Sequence, residues 1–128
     1  MAQSGDATQI GGEKGKFKYS APLGRKALLI VVSRQDFGRT HVIEEPGVVL
    51  GRQSDCEFVI ADPLLSRRHC MVTADETGEY FIEDLNSTNA TTLNSRKLKA
   101  KTRLQFGDRI VIGNTILRFY IEEELDRK

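Results

Sequence analysis

What most restricts the fold of this chain is how closely its apolar runs follow one another. Lys26 to Val32, His41 to Glu44, Val48 to Gly51, Glu57 to Ile60 and His69 to Thr73 are short and rich in β-branched residues. Glu79 to Leu85, Thr91 to Leu93, Thr102 to Phe106, Arg109 to Ile112 and Thr115 to Ile121 continue the series. Runs this short suit strands, because an amphipathic helix needs roughly ten residues or more of 3.6-residue periodicity. Turn residues separate them. Glu45-Pro46-Gly47 joins a fixed φ to a residue that accepts positive φ, and Asp75-Glu76-Thr77-Gly78 closes a hairpin. Gly113-Asn114 is a two-residue loop able to take positive φ at both positions. Glu79 to Leu85 alternates, with Tyr80, Ile82 and Asp84 on one face. No helical stretch precedes Tyr120, so the fold class is all-β, a two-sheet β-sandwich.

The two ends of the chain differ from this middle. Residues 1–25 are rich in Gly, Ser, Lys and Gln without periodicity and read as a flexible arm. Residues 26–121 form the domain, and 122–128 an acidic tail that could begin a helical linker into something longer. With 39% apolar and 29% charged residues, a folded domain is expected. The longest apolar run, Ala27 to Val32, is too short to span a membrane, and the first 25 residues contain no secretory h-region. Cys56 and Cys70 read as free thiols in a reducing compartment, which implies a cytoplasmic location. With a net charge of +1, nothing global points to nucleic acid. Charge is uneven, however. Asn86 to Gly107 holds Arg96, Lys97, Lys99, Lys101 and Arg103 and no acid, a basic rim near Thr88.

Three turns at the ends of apolar runs carry the chemistry. Arg52 follows Val48-Val49-Leu50-Gly51; Ser66-Arg67-Arg68-His69 follows Leu64-Leu65; Asn86-Ser87-Thr88-Asn89 follows Asp84-Leu85. A guanidinium offers a planar fork of donors matched to two phosphate oxygens. Hydroxyls of Ser66 and Thr88 and turn N–H groups add further donors, while Asn89 both donates and accepts, as gripping a peptide main chain requires. A phosphate carries about −1.5 to −2 charge at neutral pH. Each hydrogen bond to a charged group is worth roughly 1.5–3 kcal/mol, so two or three distinguish a phosphorylated from a plain peptide.

Gly51-Arg52, Ser66-Arg67-Arg68-His69 and Asp84-Leu85-Asn86-Ser87-Thr88-Asn89, with Asn94 following, together resemble the signature of forkhead-associated (FHA) domains over residues 25 to 121. The resemblance implies a sandwich of about eleven strands that binds phosphothreonine peptides through loops at one end, with no cofactor. By that resemblance Arg52 and Ser66 contact the phosphate, Thr88 is a further phosphate ligand, and Arg68 adds charge nearby. Asn89 would hold the peptide backbone, while Gly51, His69 and Asn94 would be structural, His69 bracing the loop of Ser66. The implied partner is a phosphothreonine-containing protein or peptide, not nucleic acid or membrane. Leu64, two residues before Ser66, argues against an acidic residue three positions after the phosphothreonine. Ala90 and Ser95 stand where the family usually has glycine. If those positions need positive φ, each Cβ costs about 1 kcal/mol.

Rival readings are weighed on the same residues. A Ser66–His69–Asp84 hydrolase triad lacks a nucleophile elbow, and a Ser and His three apart in one loop seldom face each other. A metal site from His41, Cys56, His69 and Cys70 has no C-x-x-C pair, and His69 and Cys70 would point to opposite faces of a strand. The remaining rival is a scaffold or dimerisation module whose phosphate site has degenerated, with Ala90 and Ser95 as its support.

Overall fold

A computed structural model describes residues 25–122, so the arm before residue 25 and the acidic tail after Glu122 lie outside the described residues. Eleven strands make up the element order: β1 (Ala27–Val31), β2 (Thr40–Val42), β3 (Gly47–Gly51), β4 (Phe58–Val59), β5 (Cys70–Ala74), β6 (Tyr80–Asp84), β7 (Thr91–Leu93), β8 (Arg96–Lys97), β9 (Thr102–Arg103), β10 (Arg109–Ile112) and β11 (Thr115–Ile121). They form a six-stranded sheet in the order β2-β1-β11-β10-β7-β8 and a five-stranded sheet in the order β4-β3-β5-β6-β9. Pairing is antiparallel except between β3 and β4, which run parallel. The all-β two-sheet sandwich expected from the sequence is the architecture observed.

Alternation in the strands sets the core. Leu29 and Val31 of β1, Leu117 and Phe119 of β11, and Ile110 and Ile112 of β10 face inward and are fully buried. From the other sheet come Val48, Leu50, Phe58, Cys70, Val72 and Ile82. Tyr80 meets Phe119 across the interior with ring centroids 5.6 Å apart. Each large apolar side chain withdrawn from water contributes about 1.5–3 kcal/mol, which is what holds the sheets face to face.

Several boundaries differ from the sequence reading. β8 was not anticipated, because Arg96 and Lys97 are both exposed and only pairing with β7 makes them a strand. The run expected from Thr102 to Phe106 pairs only through Arg103; Asp108 then accepts from the Gln105 N–H and turns the chain. The second strand is Thr40–Val42 rather than His41 to Glu44. In the β10–β11 turn only Gly113 has positive φ (58°), not Asn114 as well. The Asn114 N–H is instead engaged by the Asp62 carboxylate at 2.7 Å.

Strand register fixes where the loops meet. Leu50 pairs with Cys70, Cys70 with Asp84, and Ile112 with both Thr91 and Thr115. The segments 52–57, 60–69, 85–90 and 113–114 therefore emerge at the same end of the sandwich.

A candidate anion site built from three loops

At that end the chain crosses itself closely. A Cβ added at Gly51 would lie 2.0 Å from the Arg67 carbonyl oxygen, so no side chain fits between the β3 end and the β4–β5 loop. Glycine is required here by close approach. The contact lets the Arg52 N–H reach the Ser66 carbonyl (3.2 Å) and the Gln53 N–H reach the Arg67 carbonyl (3.1 Å). The Arg52 side chain folds over the same loop, its Nε donating to the Leu65 carbonyl. That bond fixes the guanidinium by its inner nitrogen and leaves the outer nitrogens of the exposed group without a partner among the described residues.

Ser66 joins the second loop to the third, because its Oγ accepts from the Thr88 N–H at 3.0 Å. The Ser66 hydroxyl proton thus stays available for another acceptor. Asn89 closes the same seam from its own side, Nδ2 donating to the Leu64 carbonyl at 2.9 Å and Oδ1 having no partner among the described residues. Arg52, Ser66, Thr88 and Asn89 are in this way tied into one hydrogen-bonded chain running Leu65–Ser66–Thr88 and Leu64–Asn89. The Thr88 side chain is exposed and has no hydrogen-bond partner among the described residues. Arg68 does not join this group; its guanidinium extends toward Asp55 (3.9 Å), an exposed pair of little energetic weight.

Beneath these groups His69 is fully buried. Its Nδ1 accepts from the Ser66 N–H (3.0 Å), so the proton sits on Nε2, which faces the Ala90 carbonyl at 2.8 Å. One neutral imidazole thereby fixes the backbone of both the Ser66 loop and the Asn89 loop. With both ring nitrogens engaged by main chain, it offers no base to the Ser66 hydroxyl, and the triad reading has no geometric support. Asn94 lies at the opposite end of the sandwich, in the β7–β8 turn, bridging the Asp108 carboxylate (2.8 Å) and the Arg109 N–H (2.9 Å).

Two carboxylates tie the sheets together at the loop end. Asp84, at the end of β6, accepts from the Ser87 N–H (2.9 Å) and hydroxyl (2.6 Å) and from the Thr91 hydroxyl (2.7 Å) across in the other sheet. Burial opposes its ionisation, but those hydrogen bonds outweigh it and hold the carboxyl below its ordinary value. Asp62 does the same between the β4–β5 loop and the β10–β11 turn. It accepts from the Leu64 N–H (2.9 Å), the Asn114 N–H (2.7 Å) and the Thr115 hydroxyl (2.8 Å). Burial again opposes ionisation and is again outweighed by those three donors. The sequence marks Asp62-Pro63 only as a turn; the anchoring role is set by a partner more than fifty residues away.

The left-handed positions bear on the departures noted in the sequence. Ala90 has φ 68° and Ser95 φ 74°, so both loops keep a conformation that glycine would adopt without strain.

Fold and loops define the class: a two-sheet β-sandwich that gathers hydrogen-bond donors at one end. A family model of the FHA domain matches residues 48–113. The chain belongs to the FHA domain family. It is 32% identical over 89 residues to the FHA domain-containing protein FhaB of Mycobacterium tuberculosis, an alignment covering 70% of this chain and 57% of that protein. It is 30% identical to the glycogen accumulation regulator GarA of Mycolicibacterium smegmatis over 115 residues, 89% of this chain and 72% of GarA. A solved FHA domain described as part of an analysis of phosphothreonine-dependent FHA domain interactions superposes with a TM-score of 0.69 at 30% identity, covering 77% of this chain and 98% of that one. An Arabidopsis thaliana FHA domain superposes with a TM-score of 0.72 at 28% identity, covering 85% and 96%. The chain spans 57% of FhaB and 64% of the oxoglutarate dehydrogenase inhibitor of Corynebacterium efficiens.

Proposed function

We propose that this domain recognises phosphothreonine in partner proteins and thereby mediates phosphorylation-dependent association, as one module of a larger cytoplasmic signalling protein. The observation that carries the reading is the hydrogen-bonded seam in which Arg52, Ser66 and Thr88 meet from three loops while keeping donors free. Arg52 presents its outer guanidinium nitrogens to the phosphate, Ser66 its hydroxyl proton, and Thr88 its hydroxyl. Asn89, with Nδ2 committed to Leu64, offers Oδ1 to a peptide N–H beside the phosphothreonine. Arg68 contributes charge near the site rather than a direct ligand, since it extends toward Asp55. Gly51, His69 and Asn94 are structural.

The mechanism is exchange of phosphate hydration for donors already held in place. Their immobilisation is completed on folding, so binding costs little further ordering. No bond is made or broken, and an engaged His69 suits a recognition module rather than an enzyme. A threonine-sized hollow beside the phosphate would favour phosphothreonine over phosphoserine by about 1 kcal/mol through burial of the methyl. The scaffold alternative drew on the missing glycines, and the retained left-handed geometry at Ala90 and Ser95 removes much of that support.

The test is titration with a degenerate phosphothreonine peptide library and its unphosphorylated twin. Selective retention of the phosphorylated library, abolished by Arg52→Ala, is the expected result. Equal retention of both libraries overturns the proposal in favour of the scaffold.

A further inference from the structure

Beside the Asn89 loop the two sheets expose their edges. β8 is the outermost strand of the six-stranded sheet and β9 of the five-stranded one, and the chain crosses between them through 98–101. The Leu98 N–H donates to the Thr91 carbonyl at 2.9 Å, which brings this crossover back to the loop end, two residues from Asn89. Between the edges lies an open groove of about 840 Å³. Leu93, Leu98 and Thr102 line it together with Arg96, Lys97 and Lys99. The three cations are exposed and none forms an ion pair among the described residues. Neighbouring charges are already engaged: Arg103 pairs with Glu79 at 2.9 Å, and Lys101 lies over the Phe81 ring at 5.7 Å. Asp108, which reaches this region through Asn94, is occupied by the Asn94 amide and the Gln105 N–H.

The flank of the site across the Ser66 loop is lined differently. There a smaller cavity of about 210 Å³ is lined by Asp36, Asp62, Ile60 and Pro63. Asp36 there is paired with Arg39 at 3.3 Å and Asp62 is buried and engaged by three donors, so a peptide held at Asn89 has a charge-compensated flank on one side and an unneutralised basic groove on the other.

Building on the phosphothreonine reading, we propose that the β8–β9 groove is an accessory docking surface for acidic residues of the phosphorylated partner, contributed by Arg96, Lys97 and Lys99. Charge complementarity and continuity with the Asn89 loop favour an acidic peptide over a nucleic acid. The net charge is only +1, too little for a general nucleic-acid surface. Exposed ion pairs are individually weak, so two or three of them shift affinity by roughly 3- to 10-fold at low salt and less at high salt.

The experiment compares four fluorescent peptides: a phosphothreonine peptide flanked on both sides by three Asp/Glu residues, one flanked on both sides by three Ala residues, and their unphosphorylated twins. Each is titrated against the wild-type chain, Lys97→Gln/Lys99→Gln and Arg52→Ala. A roughly 3- to 10-fold preference for the acid-flanked phosphopeptide is expected at low salt, collapsing in Lys97→Gln/Lys99→Gln while the Ala-flanked phosphopeptide loses less than twofold. Equal affinity for acid- and Ala-flanked phosphopeptides overturns the groove proposal alone. So does an equal loss of both in the double variant, which would show a diffuse field rather than a docking surface. Failure of every phosphopeptide to outbind its twin overturns the phosphothreonine reading and this extension together. A short DNA duplex that displaces the acid-flanked phosphopeptide at lower concentration than unlabelled peptide would reassign the groove to nucleic acid.

Discussion

At the β5–β6 turn a single carboxylate organises its own neighbours. Asp75 Oδ1 accepts from the Thr77 N–H (2.9 Å), the Thr77 hydroxyl (2.7 Å) and the Glu79 N–H (3.0 Å), all within four residues. At the other end of the same strands the bonds that shape the loops reach much further. Arg52 to Leu65 spans 13 residues, His69 to Ala90 21, Ser66 to Thr88 22 and Asn89 to Leu64 25. The first turn is closed by local chemistry alone. The second arrangement is held by partners from separate loops and leaves donors unspent, which is the condition for binding something else. The contrast teaches that donor-rich loops become a site only when distant parts of the chain restrain them.

Substitutions at the two ends should therefore separate stability from binding. The largest effect is expected for Gly51→Ala, whose Cβ would collide with the Arg67 carbonyl. It should lose about 3 kcal/mol in urea unfolding, since backbone on both sides must move. A nearly unchanged midpoint would show that the loops are looser than the contrast requires. Next comes His69→Ala, which leaves the Ser66 N–H and the Ala90 carbonyl unpaired. A loss of about 2 kcal/mol is expected, together with loss of phosphopeptide discrimination. Asp75→Ala should cost about 1 kcal/mol and leave phosphopeptide affinity unaltered, because its bonds are exposed and local. If both variants lowered binding equally, the comparison of the two ends would fail.

Acid provides a further discriminator. Asp62, Asp75 and Asp84 all titrate below the ordinary value of 3.8 in the folded chain. On acidification the unfolded chain then binds more protons than the folded one, so stability present at neutral pH is lost as the pH falls below about 4. Thermal melts from pH 6 to pH 2 should show this decline, with a shallower slope in Asp62→Asn. An unchanged slope in that variant would show that its carboxylate contributes nothing to the acid response.

The smallest effects are expected from restoring glycine. Ala90→Gly and Ser95→Gly each relieve a left-handed Cβ and should gain up to about 1 kcal/mol in urea unfolding. Only Ala90→Gly, beside Asn89 and bonded to His69, should also alter phosphopeptide affinity.

The sandwich was legible in the sequence from short apolar runs set between turn residues, as at β1 and β11, and from period-two alternation in β6, where Tyr80 and Ile82 are the buried positions. It was not legible at β8, where neither residue is buried and pairing alone makes the strand. Taken singly, Arg52, Ser66 and Thr88 read as a solvated side chain and turn-capping hydroxyls; with Asn89 they could be singled out only through the ordered set that resembles the FHA signature. Arg68 is placed near the phosphate by the resemblance alone; a side chain two residues from Ser66 can leave the loop in another direction, and here it extends toward Asp55. Asp62 escaped notice because nothing in Asp-Pro announces a partner at Thr115.

By itself the sequence determined most of the strands, the inward face of β6 and the kinds of donor carried by the turns, since period-two alternation and turn chemistry act over a few residues. Only the tertiary structure decided which turns meet, which of their donors are consumed in holding one another, and that the basic edge returns alongside Asn89. Register between strands far apart in the chain sets those distances, and hydrogen bonding, unlike burial, depends on tenths of an ångström.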